Sequence, residues 1–240
     1  MRLFGRNCVI ERLKKNPKSI KKVYAERGVD LGEVLKLSEQ HNIAIERISK
    51  NDLDKKSAGI PHQGVIAEVE DFKYADFDDM LNVGATRRVA PTMLFLDSLN
   101  DPQNLGSILR TAACFGKFAV VLPKHDSVEV TEAVLRVAQG GENYVPIAKV
   151  TNLSFAIEKA KKAGYWIAGA VVSGGQDLTG VSLNFPLGIV IGSEGRGIRQ
   201  GLISHLDFKL TLPMAGADLS FNASVAAALF CYEATRQIKK

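Results

Sequence analysis

Three polar, glycine-bearing stretches carry the side chains of this sequence that could do chemistry. DPQNLGSILRTAACFG offers Asn104 and Arg110, and GIVIGSEGRGIR offers Glu194 among three glycines. LPMAGADLSFNASVAAALF sets Ser220, Asn222 and Ser224 at alternate positions ahead of an apolar run. Amides, hydroxyls, a carboxylate and a guanidinium can orient a ligand and stabilise charge developing on an oxygen.

Read alone, each stretch keeps a plainer alternative. Asp101-Pro102 makes a turn, and Asn104 reads as the N-cap of a helix ending at Gly116. Ile108, Ala112 and Phe115 share that helix's buried face, which leaves Arg110 as a solvent-facing arginine beside Ser107 and Gln103. Glu194 is either a first-turn carboxylate favoured by a helix dipole or an orienting carboxylate at a strand end. Ser220 and Asn222 form a capping cluster, or one caps and the other faces a ligand. Gly192, Gly195 and Gly197 let backbone approach a ligand closely. The stretch is no Walker loop, no G-x-G-x-x-G and no G-x-S-x-G elbow.

The elements that must position these stretches alternate strand and helix after Pro91. TMLFLD, FAVVLP, YWIAGAVV, LGIVIG and FKLTLP read as buried strands. LGSILRTAACF, VEVTEAVLRVA, LSFAIEKAKKAG, RGIRQGLISHL and FNASVAAALFCYEATRQIKK read as helices. In the last, Val225, Leu229, Tyr232 and Arg236 lie along one stripe, and VAAALF is expected to anchor the helix in the core. Repeated βα units predict a mostly parallel sheet covered on both faces, with ligands outside the strands' carboxyl ends. All three polar stretches follow strands. Residues 1–75 read as a small α/β/α unit, with FGRNCVIERLKK, VDLGEVLKLSEQHN (Asp30 as cap) and KNDLDKKSAG as helices or turns. Its strands are IKKVYAE, IAIERIS and QGVIAEVE. Residues 76–90 read as an aperiodic linker, and residues 91–240 as the second domain.

Composition and charge bound the function. The 240 residues are 46% hydrophobic and 24% charged, an ordinary globular balance. No apolar run reaches the ~20 residues of a membrane helix, and no secretory h-region follows the basic start, so a cytoplasmic protein is expected. Cys8, Cys114, Cys231 and the four histidines are scattered, so neither a disulfide framework nor a metal site is expected. Residues 1–27 carry nine basic and two acidic side chains, a net +7, while the remainder sums to −2. Such a block suits a polyphosphate partner, which makes Arg6, Arg12, Lys14, Lys15, Lys18, Lys21 and Lys22 candidates for RNA contact.

Taken together, and in this order and spacing, the three stretches resemble the signature motifs of the SpoU (TrmH) family of RNA ribose 2′-O-methyltransferases, within the SPOUT class. FGRNCVIERL and HQGVIAEV are similar to the L30e-like substrate-binding domain that precedes the catalytic domain in many members. The layout is most like that of members acting on a guanosine of 23S rRNA. Periodicity alone predicts an unknotted doubly wound sheet. The resemblance instead implies a SPOUT-type α/β fold with a trefoil knot, S-adenosylmethionine held by backbone groups of the knot loops, an RNA substrate and a homodimer. It assigns Asn104, Arg110, Glu194, Ser220 and Asn222 to catalysis, and Gly192, Leu212 and Phe221 to the cofactor. Family members commonly have Leu in place of Phe221 and Ala in place of Ser193. Other substrates within the class are a tRNA ribose or an rRNA adenosine. From another class, the alternative is an inactive RNA-binding assembly factor, against which retention of all five polar residues argues.

Overall fold

A computed structural model describes residues 1–86, 90–216 and 219–238. Residues 87–89 of the expected linker and 217–218 of the third stretch lie outside them. The amino-terminal unit comprises β1 (Arg2–Phe4), α1 (Arg6–Lys15), β2 (Ile20–Glu26), α2 (Gly32–Gln40), β3 (Ile45–Ile48), α3 (Lys50–Ser57) and β4 (Val65–Val69). Its sheet has the order β1-β4-β2-β3. Alternation sorts its side chains as a pleated strand must. Val65, Ala67 and Val69 join Leu13 and Val34 on the side of α1 and α2, while Ile66 meets Leu53 of α3 on the other. The N-cap of α2 is Leu31 and not the expected Asp30, which lies one residue further out and accepts from Gly32 N at 3.0 Å.

The segment read as a linker differs from expectation, because Phe77–Thr86 is a helix, α4. Phe77, Met80 and Leu81 are buried against Phe95 and Ala148, an i, i+3, i+4 pattern too brief to stand out among Asp76, Asp78 and Asp79. Beyond it run β5 (Thr92–Leu96), α5 (Pro102–Phe115), β6 (Phe118–Pro123), α6 (Glu132–Ala138), β7 (Ile147–Val150) and α7 (Leu153–Lys162). They are followed by β8 (Trp166–Ala170), β9 (Gln176–Asp177), β10 (Leu187–Ile191), α8 (Gln200–Ile203), β11 (Phe208–Thr211) and α9 (Ala223–Ile238).

These strands form one seven-stranded sheet of order β7-β6-β5-β10-β8-β11-β9, and every pairing is parallel. Every residue of β5, β6 and β10 is buried, as expected of strands covered on both faces. Leu94, Val120 and Ile189 pack on one face with Ile108 of α5 and Phe230 of α9. Met93, Val121 and Val190 pack on the other with Ile157 of α7 and Leu202 of α8. The helix expected over RGIRQGLISHL is limited to the four residues of α8, and α6 begins only after VEV. Two short edge strands, β7 and β9, are not among the strands expected from the sequence.

The halves are packed together. Cys8 of α1 lies against the Leu135 carbonyl, and burial pushes its thiol pKa up to about 12. Arg12 donates to Glu142 at 3.1 Å, both side chains being nearly inaccessible. This corrects one RNA candidate: Arg12 lies inside the seam between the halves, whereas Arg6, Lys14, Lys15, Lys18 and Lys21 are exposed.

Candidate active site

The carboxyl ends of β8, β10 and β11 converge on a cavity of about 370 Å³, within the size range of small-molecule sites. Its walls come from Ala170–Val172 after β8, 192–197 after β10, Leu212 and Met214 after β11, and Ser220, Phe221 and Ala223 at the entrance of α9. Gly192, Leu212 and Phe221, the expected cofactor contacts, all line it, as do Glu194 and Ser220. Gly192 is required by a close approach: a Cβ there would sit 2.1 Å from the carbonyl carbon of Gly197. The loop curls back on itself, with Gly197 N donating to Ser193 O at 2.8 Å.

What fixes this loop is a residue that sequence reasoning passed over. Asp97, at the end of β5, is fully buried and accepts from Arg199 Nε at 2.6 Å and from Arg199 N at 2.8 Å. It closes the stretch TMLFLD, where nothing local marks it, because its partner lies 102 positions away.

Three expected residues form a single network at the cavity wall. Asn104 Nδ2 donates to Glu194 Oε1 at 3.0 Å. Asn222 Nδ2 donates to Asn104 Oδ1 at 2.9 Å and also to the Glu194 carboxylate. Ala223 N contributes a longer bond to Glu194 Oε1 at 3.4 Å. Glu194 is thus the shared acceptor of two amides from two helices. Asn104 is not the cap of α5: Asp101 accepts from Gln103 N at 2.8 Å, with Pro102 in the first turn. That frees the Asn104 amide for the network. Asn222 is the cap of α9, its Oδ1 accepting from Ser224 N at 2.9 Å and Val225 N at 3.3 Å.

Arg110 is not part of this group. It lies on the exposed side of α5 and lines a separate groove with Asn7, Glu11, Gln139 and Tyr144. Six residues along a helix amount to ~9 Å of rise and a markedly different face, so Asn104 and Arg110 point apart. Arg110 forms no hydrogen bond or ion pair among the described residues. The apolar stripe of α9 also departs from expectation: Val225, Leu229 and Tyr232 are exposed, while Ala227, Phe230, Cys231 and Ala234 face the core. Phe115, expected in the buried face of α5, is partly exposed and meets the Tyr232 ring at 6.3 Å between centroids.

The chain is similar to known proteins in both sequence and fold. The SpoU rRNA Methylase family matches residues 91–232, and a family described as RNA 2′-O ribose methyltransferase substrate binding matches residues 2–75. A Bacillus subtilis protein named for the TrmH family of tRNA/rRNA methyltransferases, YacO, is 39% identical over 237 residues, 98% of this chain and 95% of its own. A protein of the same designation from Staphylococcus saprophyticus is 39% identical over 238 residues, again 98% and 95%. Among solved structures, the SpoU methyltransferase AviRb of Streptomyces viridochromogenes, in complex with AdoMet, has a TM-score of 0.82 at 22% identity, covering 100% of this chain and 90% of its own. An AdoMet-bound rRNA methyltransferase from Sinorhizobium meliloti has a TM-score of 0.80 at 20% identity, covering 99% and 87%. At such identities these two likenesses concern the fold. The family match spans more than half of the chain and the curated relatives nearly all of it: the chain belongs to the SpoU/TrmH family of RNA methyltransferases.

Proposed function

We propose that this enzyme transfers a methyl group from S-adenosylmethionine to a ribose 2′-hydroxyl of RNA, the expected nucleotide being a guanosine of 23S rRNA. The observation that carries the reading is the Glu194 network closing one wall of the cavity at the carboxyl edge of the sheet. The residues present fit the cofactor. Gly192 and its loop offer backbone groups at close range, Leu212, Met214 and Phe221 offer apolar surface for an adenosine, and Ser220 offers a hydroxyl. When bound, S-adenosylmethionine supplies an electrophilic methyl group on a sulfonium.

The chain's own residues then have separable tasks. Asn104, Glu194 and Asn222 brace α5 and α9 against the loop after β10, holding the cavity wall rigid. Arg110 stabilises the negative charge that develops on the 2′-oxygen as its proton leaves to a phosphate oxygen of the substrate. A guanidinium with a pKa above ~12 suits that electrostatic role better than the role of base. Because Arg110 does not line the cavity, the site is completed by a second copy. Val225, Leu229, Tyr232 and Phe115 form an exposed apolar surface across α9 and α5, adjoining the outward row of Gln103, Arg110 and Cys114. Burying that surface in a two-fold dimer brings Arg110 of one copy toward the cavity of the other. The trefoil path is inferred on related grounds: β10 enters between β5 and β8 and not at an edge, and the loops after β10 and β11 share one cavity. A cytoplasmic enzyme fits the absence, among the described residues, of any helix long and apolar enough to cross a membrane.

The test is tritium transfer from labelled S-adenosylmethionine to total bacterial RNA, followed by nucleoside analysis. Label recovered in a 2′-O-methylated nucleoside is expected; label confined to base-methylated nucleosides, or none, contradicts the reading.

A further inference from the structure

The lining of the cavity at the carboxyl edge holds two charged residues, Glu194 and Arg196, and both belong to the loop after β10. Two positions apart, they do not pair: Arg196 forms no hydrogen bond or ion pair among the described residues. Glu194 is turned to the amides of α5 and α9, its Oε1 accepting from Asn104 and Asn222. The loop has no need of the guanidinium for its own shape. It is closed by backbone groups, Gly197 N donating to Ser193 O at 2.8 Å with Gly197 at φ 64°. Its exit is fastened by Arg199 on Asp97. Arg196 is thus carried on an anchored backbone, exposed at the cavity and without a counter-ion.

S-adenosylmethionine brings three charged groups to such a cavity: a sulfonium, an ammonium and a carboxylate. The two cationic groups are compatible with Glu194. The carboxylate is not, because like charges repel strongly where protein replaces much of the surrounding water. It calls for a cation in the lining, and Arg196 is the one that the described residues supply. A planar guanidinium meets a carboxylate with two parallel N–H donors, a match that a lysine does not offer.

We propose that Arg196 holds the carboxylate of S-adenosylmethionine. This rests on the reading of the cavity as the cofactor site. Leu212, Met214 and Phe221 then serve the adenosine end and Arg196 the amino-acid end, so the sulfonium that joins them is held from both sides. The carboxylate also neutralises Arg196, and the cation for the 2′-oxygen remains Arg110. An RNA phosphate is the other oxyanion that an exposed arginine accepts. The place of Arg196 in the cavity lining favours the carboxylate.

The experiment measures binding to the full chain by calorimetry, with S-adenosylmethionine and with decarboxylated S-adenosylmethionine. The second ligand keeps the sulfonium and the amine and lacks the carboxylate. The wild type is expected to bind S-adenosylmethionine about tenfold more tightly, the scale of a hydrogen bond to a charged group. Arg196→Gln should lose about that factor for S-adenosylmethionine but not for the analogue, so the preference disappears. Phe221→Ala, on the apolar side of the same cavity, should weaken both ligands by the same factor. The salt dependence of KM for RNA should be the same in Arg196→Gln as in the wild type. If Phe221→Ala weakens both ligands while Arg196→Gln binds both as the wild type does, the clamp is overturned and the cavity reading stands. The clamp is equally overturned if Arg196→Gln keeps its affinity for S-adenosylmethionine but flattens the salt dependence, since the arginine then holds an RNA phosphate. If Phe221→Ala changes neither affinity, the cavity is not the cofactor site, and the clamp falls with that reading.

Discussion

At Asn222 one amide does two jobs at its two ends. Its oxygen caps α9, and its nitrogen donates to Asn104 and Glu194. Asn222→Ala removes both, and the lost cap alone costs about 1 kcal/mol. Asn222→Asp separates the two functions. It keeps an acceptor for Ser224 N but sets a second carboxylate against Glu194 and deletes the donor. The Asp variant is therefore expected to fold with near-normal Tm while methyl transfer falls about tenfold or more, the scale of losing a hydrogen bond to a charged group. Turnover at the wild-type rate would show that the network is not needed. Residue type and place after buried strands marked these side chains only as candidates; the family resemblance assigned them to the site. Neither could show that Asn104 bonds a residue 90 positions away, or that Asp101 takes the capping role assigned to Asn104. Asp97 and Arg199 stayed hidden for the same reason, since a buried ion pair has no local signature in either segment.

Between elements, the seam of α1 with the turn after α6 rests on a buried ion pair. Burial raises the pKa of Glu142, and the neighbouring Arg12 charge opposes that rise. An acid whose pKa is raised on folding binds its proton more tightly in the folded state, so stability is lost as pH climbs through the ordinary carboxylate range near 4.5. Arg12→Leu removes the opposing charge and raises the pKa further. Its deficit in unfolding free energy relative to wild type should be small at acid pH and grow toward neutrality, reaching roughly 3–5 kcal/mol. Urea unfolding followed from pH 4 to 8 measures it, and a deficit independent of pH would contradict the assignment. The same helix shows where element reading succeeds and fails. Apolar spacing marks α1 correctly, and strands such as β5, β6 and β10 are legible as unbroken apolar runs because both faces are covered. The direction in which a basic residue points is not legible: Arg12 sits in a run of lysines and arginines, yet its register on α1 turns it inward. Likewise α9 is apolar on two sides, and a periodicity argument cannot say which side meets the sheet and which stays exposed.

Over the whole molecule, the cofactor cavity and Arg110 open on different surfaces of one chain, joined by the exposed apolar faces of α5 and α9. Family resemblance supplied the expectation of a dimer. The physical reason for it emerges only from the fold, which leaves Val225, Leu229 and Tyr232 uncovered and the proposed site short of its cation. The most direct test mixes two inactive variants. Arg110→Ala lacks the guanidinium but keeps the cavity. Gly192→Ala drives a Cβ into the backbone of Gly197 and should abolish S-adenosylmethionine binding while leaving Arg110 intact. Each alone should be inactive in tritium transfer to RNA. Unfolded and refolded together in equal amounts, half of the dimers are mixed and each carries one intact site, so about a quarter of wild-type activity should return. No recovery above the separate variants, with mixed dimers demonstrably present, would contradict a site completed across two copies.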